Sequence, residues 1–355
     1  MRLFVFGLGY SARAVVERLR PKLEAAWGTT RDPKKLREIE ALGVTPILFD
    51  GSSDPADGLV APSYPSPQGP RERALPPPLN SGVPEFSNSA SRSGEHPTSV
   101  RGMGVAPTLE AALEKATHVL VSIAPDEAGD PVLRHFGAEL AAAKPLSVVY
   151  FSTVGVYGDH NGAWVSEESA CRPASKRSRQ RLAAERAWRE FSEQPGLPVA
   201  IIRLAGIYGA GRGPFEKIRR GMARRIVKPG QVFNRIHVDD IAAIVEAALT
   251  QKADGVLNGS DDEPAPPQDV LAYAADLLGV QPPPEVAYDD ADLTPMARSF
   301  YGENKRVRND RIKRKLGVRL AHPTYREGLR AVLAAETKEP LGQAAGAIPE
   351  VRREN

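Results

Sequence analysis

Apolar residues along this chain gather into short runs separated by stretches with helical spacing. Leu3 to Phe6 is a continuous apolar run that stops at glycine, and Ala14, Val15 and Leu19 then recur at helical intervals until Pro21. This predicts strand, turn and helix. Ala25 to Thr30 reads as a second strand, after which Asp32-Pro33 offers an N-cap and a first-turn proline to a helix ending at Gly43. Further strands are predicted over Val44 to Phe49, Val119 to Ala124, Ser147 to Ser152 and Val199 to Leu204. Helix-compatible sequence such as Pro131 to Ala143 and Leu182 to Phe191 separates them. Strands that are apolar throughout and alternate with helices predict an α/β fold, a doubly wound parallel sheet covered on both faces.

The pattern fails between Gly51 and Gly104, where 10 of the 32 prolines fall among serines and glycines without hydrophobic periodicity. Residues 51–104 are therefore expected to be a disordered Pro/Ser/Gly-rich insertion, with 1–50 and 105–205 forming the core. Residues 206–335 alternate more loosely and are expected to complete the core and form a smaller C-terminal substrate lobe, with 336–355 a flexible tail. Net charge is only +3, so basic residues matter by local clustering rather than by excess. The single cysteine, Cys171, excludes an intrachain disulfide and a cysteine-based zinc site. The N-terminus lacks a signal-peptide pattern and no apolar run reaches the roughly 20 residues a bilayer requires, so a cytoplasmic protein with no membrane partner is expected.

The first glycines carry the most specific chemistry. Gly7-Leu8-Gly9-Tyr10-Ser11-Ala12 is a G-x-G-x-x-A turn between a strand and a helix. Gly7 permits the tight turn, Gly9 lets a pyrophosphate approach the backbone, and Ala12 lets helix and strand pack closely, while the helix N-terminus offers N–H donors. This is the dinucleotide fingerprint of a Rossmann-like fold. At the end of the second strand, where a carboxylate would hold a ribose 2′-hydroxyl, the chain reads Gly28-Thr29-Thr30-Arg31. A hydroxyl and a guanidinium there favour a 2′-phosphate, hence NADP over NAD, with Asp32 read as a helix cap. Asp50 and Ser122-Ile123-Ala124, at the ends of later strands, complete the expected cofactor contacts.

With Tyr150-Phe151-Ser152-Thr153-Val154-Gly155-Val156-Tyr157-Gly158, Leu182-Ala183-Ala184-Glu185, Arg203-Leu204-Ala205-Gly206-Ile207-Tyr208-Gly209, Ile236-His237-Val238-Asp239-Asp240-Ile241-Ala242 and Tyr325-Arg326-Glu327-Gly328-Leu329, this turn resembles the short-chain dehydrogenase/reductase superfamily in its atypical and extended, epimerase/dehydratase-like branches. The resemblance implies that Ser152 hydrogen-bonds the reacting oxygen of a substrate beside the nicotinamide. It also implies a Tyr-x-x-x-Lys pair, but Arg177 and Arg181 stand at those two positions. A guanidinium stays protonated and cannot serve as a general base. The proton must then come from another group, with Tyr157, its phenol lowered by nearby cations, the first candidate and a desolvated Lys176 the second.

Thr153, Arg177, Arg181, Arg212 and His237 are the expected substrate contacts, the arginines suiting an anion. The basic clusters Lys176 to Arg189 and Lys217 to Lys228 suit either an anionic substrate or a solvated surface, and Lys305 to Lys315 lacks the interleaved aromatics that would favour nucleic acid, which is not expected as a partner. His237-x-Asp239-Asp240 is read as a helix cap, Asp239 or Asp240 supplying the carboxylate, and no metal is expected. Two readings stay open. One is an NADP-dependent oxidoreductase, epimerase or dehydratase on a small polar, anionic or nucleotide-sugar substrate. The other is a non-catalytic NADP sensor or scaffold. A homodimer is compatible with either.

Overall fold

The computed structural model describes residues 1–51, 107–193 and 196–338. The expectations for the insertion and for the tail beyond 338 lie outside the described residues. The first half runs β1 (Arg2–Phe6), α1 (Tyr10–Leu19), β2 (Ala25–Thr30), α2 (Leu36–Ala41) and β3 (Thr45–Leu48). There follow α3 (Leu109–Lys115), β4 (His118–Val121), α4 (Pro131–Ala143), β5 (Ser147–Thr153), β6 (Trp164–Val165), α5 (Lys176–Ser192) and β7 (Val199–Leu204). Next come β8 (Gly206–Tyr208), α6 (Phe215–Arg219), β9 (Arg225–Val227), β10 (Arg235–His237), α7 (Val238–Thr250), β11 (Gly255–Gly259) and α8 (Pro267–Leu277). The last elements are β12 (Glu285–Ala287), α9 (Pro295–Tyr301), β13 (Arg306–Val307), α10 (Asp310–Leu316) and α11 (Tyr325–Lys338).

Seven strands form one sheet in the order β11-β7-β5-β4-β1-β2-β3, and every pairing is parallel. The unbroken apolar runs are explained by burial on both faces. Leu3 and Val5 pack with α1, α7 and α10 through Val15, Ile241 and Ile312, while Phe4 and Phe6 pack with α3, α4 and α5 through Leu113, Phe136 and Trp188. Each such side chain stabilises the fold by about 1.5–3 kcal/mol. Of these, Phe136 touches the rings of both Phe6 and Phe49, so truncating it to alanine removes the hub of that face at about 3–5 kcal/mol.

Local chemistry sets the helix starts. Thr108 caps α3 through Ala111 N–H, and Asp130 caps α4 through Val132 and Leu133. Asp32 accepts from Lys34 N–H and caps the short 3₁₀ turn ahead of α2, the role expected of it. α5 begins well before Leu182, because Ser175 accepts from Ser178 N–H and starts the helix at Lys176. β11 was not foreseen. Its short Gly255-Val256-Leu257-Asn258-Gly259 sequence becomes a strand by pairing with β7 at the sheet edge. Beyond the sheet, β8–β10, β9–β12 and β6–β13 form small parallel pairs beside a separate apolar cluster that includes Tyr208, Phe215, Val270, Tyr325 and Leu329. Residues 336–338, assigned to the tail by sequence, form the last turn of α11. Among the described residues no helix is long and apolar enough to cross a membrane.

Candidate functional site

The strand order reverses between β1 and β4, and the carboxyl ends of these strands open a crevice of the kind that holds ligands in doubly wound sheets. The glycine turn lies there. Gly7 has φ +84°, and a Cβ on it would stand 2.5 Å from the Ile123 side chain after β4. Only glycine fits that backbone and that approach. The turn is pinned to β2: Gly7 N–H donates to Thr29 Oγ1 and Leu8 N–H to the Thr29 carbonyl, both at 2.8 Å. Gly9 precedes α1 without any side-chain cap, so the N–H groups of Tyr10, Ser11 and Ala12 are left for another acceptor. A Cβ on Gly9 would meet no protein atom within 4 Å, so the space at Gly9 is open, while Ser11 and Ala12 behind it are buried. The turn therefore fits the pyrophosphate of a dinucleotide.

The other expected cofactor residues divide. Leu8 is buried and packs beneath Gly28, so only its backbone belongs to the turn. Tyr10 flanks the crevice, its hydroxyl donating to the Ala210 carbonyl at 2.9 Å, and the Arg212 guanidinium lies over its ring at 5.7 Å. Arg31 is exposed at the tip of β2, and the Thr30 hydroxyl beside it accepts from Asp32 N–H at 3.2 Å. Thr29, the alternative hydroxyl in the sequence reading, is buried and occupied by the turn. Ser122 N–H donates to the Phe6 carbonyl at 2.8 Å, which fixes the loop through Ile123 and Ala124 across the crevice. Asp50 is exposed just past β3, the edge strand.

The ends of β5 and α5 depart furthest from the sequence reading. Ser152 is buried and its hydroxyl donates to Glu185, which Arg203 grips with hydrogen bonds of 2.7 to 3.2 Å. Burial opposes the charge on Arg203, but Glu185 outweighs it and holds the guanidinium ionised. Ser152 therefore serves an interior ion pair. Tyr157 is a second correction. Its ring is fully buried with Val165 and Val307, Arg203 lies over it at 4.8 Å, and its hydroxyl donates to Asn258 Oδ1 at 2.8 Å. Burial pushes this phenol up to about 12, the reverse of the expected lowering, because removal from water penalises phenolate more than Arg203 favours it. Lys176 is exposed and pairs with Glu127, so it is not the desolvated lysine of the sequence reading.

Thr153 and Arg181 remain at the crevice. Successive strand side chains point to opposite faces, so Thr153 leaves the face of Ser152. It is partly exposed, and its hydroxyl accepts from Gly155 N–H at 3.1 Å. Arg181 donates to the carbonyls of Phe151 at 2.7 Å and Ile123 at 3.3 Å and to the Tyr150 hydroxyl at 2.9 Å, which sets a permanent cation between the ends of β4 and β5. Arg177 is exposed one turn earlier on α5. His237 ends β10, next to Val238, which with Tyr10 flanks Gly209. It is buried and itself caps α7 by accepting from Asp239 N–H at Nδ1, a role the sequence reading gave to Asp239 or Asp240. Asp240 instead accepts from the backbone N–H groups of Ala321 and His322. Possible ligand atoms of His237, Asp239 and His322 fall within 4.8 Å of one another, but the cap already uses His237 Nδ1.

Sequence reasoning missed the Glu185–Arg203 pair as a unit. Its signal was available: Arg203 is the lone charge inside the apolar run Val199 to Leu204, and a buried guanidinium requires a carboxylate.

Comparison with known proteins agrees with this geometry. Residues 136–259 match the NAD dependent epimerase/dehydratase family. A structure described as a functionally unknown conserved protein from Silicibacter pomeroyi DSS is 44% identical, covers 94% of this chain and 98% of its own, and superposes with a TM-score of 0.74. The human epimerase family protein SDR39U1, solved with NADPH, is 17% identical, covers 94% of this chain and 99% of its own, and superposes with a TM-score of 0.61, which shows the shared fold. A 3-diazoavenalumate denitrifying reductase from Streptomyces sp is 31% identical over 140 residues, 36% of this chain but only 45% of that protein. Residues 136–259 thus carry an NAD dependent epimerase/dehydratase segment within a Rossmann-like fold shared with these structural relatives.

Proposed function

We propose that this protein binds NADP(H) in the crevice between β1 and β4 and carries out hydride transfer on a small polar, anionic substrate. The observation that carries the reading is the uncapped start of α1 beside the open space at Gly9, at the point where the strand order reverses. Preference for NADP rests on Arg31, free at the tip of β2 to bind a 2′-phosphate with two parallel hydrogen bonds. The reductase activity named for the Streptomyces relative supports hydride transfer, and neighbours of the same fold are solved with NADPH and with NAD, which supports a nicotinamide dinucleotide of either kind.

The nicotinamide, when bound, supplies or accepts the hydride. In this chain Thr153 replaces Ser152 as the hydroxyl that orients the reacting oxygen, because it alone of the two is exposed at the carboxyl edge. Arg181 supplies a fixed positive charge beside the oxygen that gains electron density. Its three hydrogen bonds mean that no reorganisation is needed as that charge develops. With no tyrosine or lysine at Arg177 and Arg181, a proton delivered to that oxygen comes from water.

Two measurements test this. Calorimetric titration of NADPH and NADH should show tighter NADPH binding, and Arg31→Ala should narrow the difference about tenfold; equal affinities in the wild type would refute the preference. Screening NADPH oxidation against small aldehydes, ketones and sugar nucleotides should yield a substrate, with Thr153→Val lowering kcat by about 10²-fold and Ser152 left in place. The withdrawal of Ser152 and Tyr157 into the interior favours the second reading, a non-catalytic NADP sensor. Tight NADPH binding with no turnover of any compound would select it.

A further inference from the structure

A cavity of about 270 Å³ lies in the C-terminal lobe, walled by Tyr208, Val270, Leu271, Tyr325 and Leu329, with Arg235 in its lining and Arg212 at its edge. Its walls are mostly apolar. Arg235 donates from one guanidinium nitrogen to the carbonyls of Phe233 at 3.0 Å and Ala265 at 3.2 Å. Among the described residues its other nitrogens make no hydrogen bond and no ion pair, and the nearby buried Asp261 carboxylate acts on it without a hydrogen bond. A guanidinium carries five N–H donors and does not shed its charge, so a half-buried arginine hydrogen-bonded only to two carbonyls keeps donors for a ligand in the cavity.

The nearby carboxylates do not take up these donors. Asp261 is buried, and burial pushes its carboxyl well above the usual carboxylate range, an effect that Arg235 offsets only in part. Glu263 is paired with Arg326, and Glu327 is held by Thr324 and Arg330. Burial likewise pushes the Arg235 guanidinium down, the direction expected of a cation lacking a full counter-charge.

We propose that this cavity binds a small monoanion with a compact apolar body, an aryl or branched-chain carboxylate, whose carboxylate pairs with Arg235 while its hydrocarbon part packs on Val270, Leu271 and Leu329. One half-buried guanidinium among mostly apolar walls, with Arg212 at the rim held over the Tyr10 ring, suits one negative charge, and the volume is just below the range typical of drug-sized ligands. Arg212, stacked on Tyr10, joins the cavity rim to the glycine turn. Binding of this anion requires neither the dinucleotide nor the hydride transfer proposed above, so the two ideas fail separately.

The test is calorimetric titration of the full chain, without dinucleotide, using phenylacetate, 2-phenylethanol and inorganic phosphate. Phenylacetate should bind saturably and at least about tenfold more tightly than either of the others. Arg235→Met should erase its advantage over 2-phenylethanol while NADPH affinity stays within about twofold. Leu271→Trp, which keeps Arg235 but fills the space, should abolish binding of both aromatic probes, and it carries the test should Arg235→Met not fold. Absence of saturable phenylacetate binding, equal affinity for 2-phenylethanol, phosphate binding as tight as phenylacetate, or an advantage that survives Arg235→Met would each overturn the proposal.

Discussion

The two sides of the crevice treat their polar groups in opposite ways. At the β1–α1 turn, the first backbone N–H groups of α1 have no side-chain cap among the described residues, and the space at Gly9 is open. At the β5–α5 side, polar groups are turned inward: Ser152 to Glu185, Glu185 to Arg203, and Tyr157 to Asn258. One side is built to receive a ligand, the other mainly to hold the sheet and helix together. A familiar motif can therefore keep its residues and change its task, because burial and partners decide what a hydroxyl can do.

The sharpest way to break this contrast is to attack the interior pair. Arg203→Met leaves Glu185 without its counter-charge in the core and should destabilise the fold by about 3–5 kcal/mol, read as a lower urea midpoint. A loss below about 1 kcal/mol would mean that water reaches this side, and the contrast would fail.

Acid provides the next test. Burial, helped by the neighbouring His322, lowers His237 to about 4 from its ordinary 6.5. The folded chain keeps this imidazole neutral, so between these values the unfolded chain binds more protons. Stability is full above about pH 6.5 and falls as pH drops toward 4, by at most about 3 kcal/mol. His237→Gln should flatten that part of the Tm-against-pH curve while leaving the loss due to carboxylates at lower pH. Curves that superimpose in this window would place the titration elsewhere.

Tyr157→Phe sharpens the contrast, since it removes a buried hydrogen bond and strands Asn258 Oδ1. Thermal or urea unfolding should show a cost of about 1–3 kcal/mol, with NADPH affinity and any turnover at 25 °C unchanged. A large fall in turnover with stability intact would return the phenol to the chemistry. The smallest effect belongs to Arg31→Ala, which should move stability by no more than about 0.5 kcal/mol despite its effect on cofactor choice.

The parts of the molecule legible in the sequence are those whose cause is local. The strand, G-x-G-x-x-A turn and helix at the N-terminus are specified by a dozen consecutive residues, as are the caps at Asp32 and Thr108. Ser152 and Tyr157 were misplaced because their partners, Glu185 and Asn258, lie 33 and 101 positions away and are supplied by packing. Strand alternation could have separated Ser152 from Thr153, had the strand been extended one residue to its observed end at Thr153. β11 and the Arg235 cavity had no comparable local signal. The first exists through its pairing with β7, and the second through elements from Tyr208 to Leu329 that converge only in the folded chain.

The clamp between Thr29 and the glycine turn has a consequence for how this lineage can vary. Thr29 holds Gly7 and Leu8 from inside the sheet, whereas Arg31, two residues further along the same strand end, stands in solvent. With Arg31 in its proposed role, framework and selectivity fall to neighbouring positions. Exchanging the exposed residue would then retune which dinucleotide is preferred without loosening the turn that grips the part common to both, so a switch of coenzyme would lie within one or two codon changes and need not pass through an unstable intermediate.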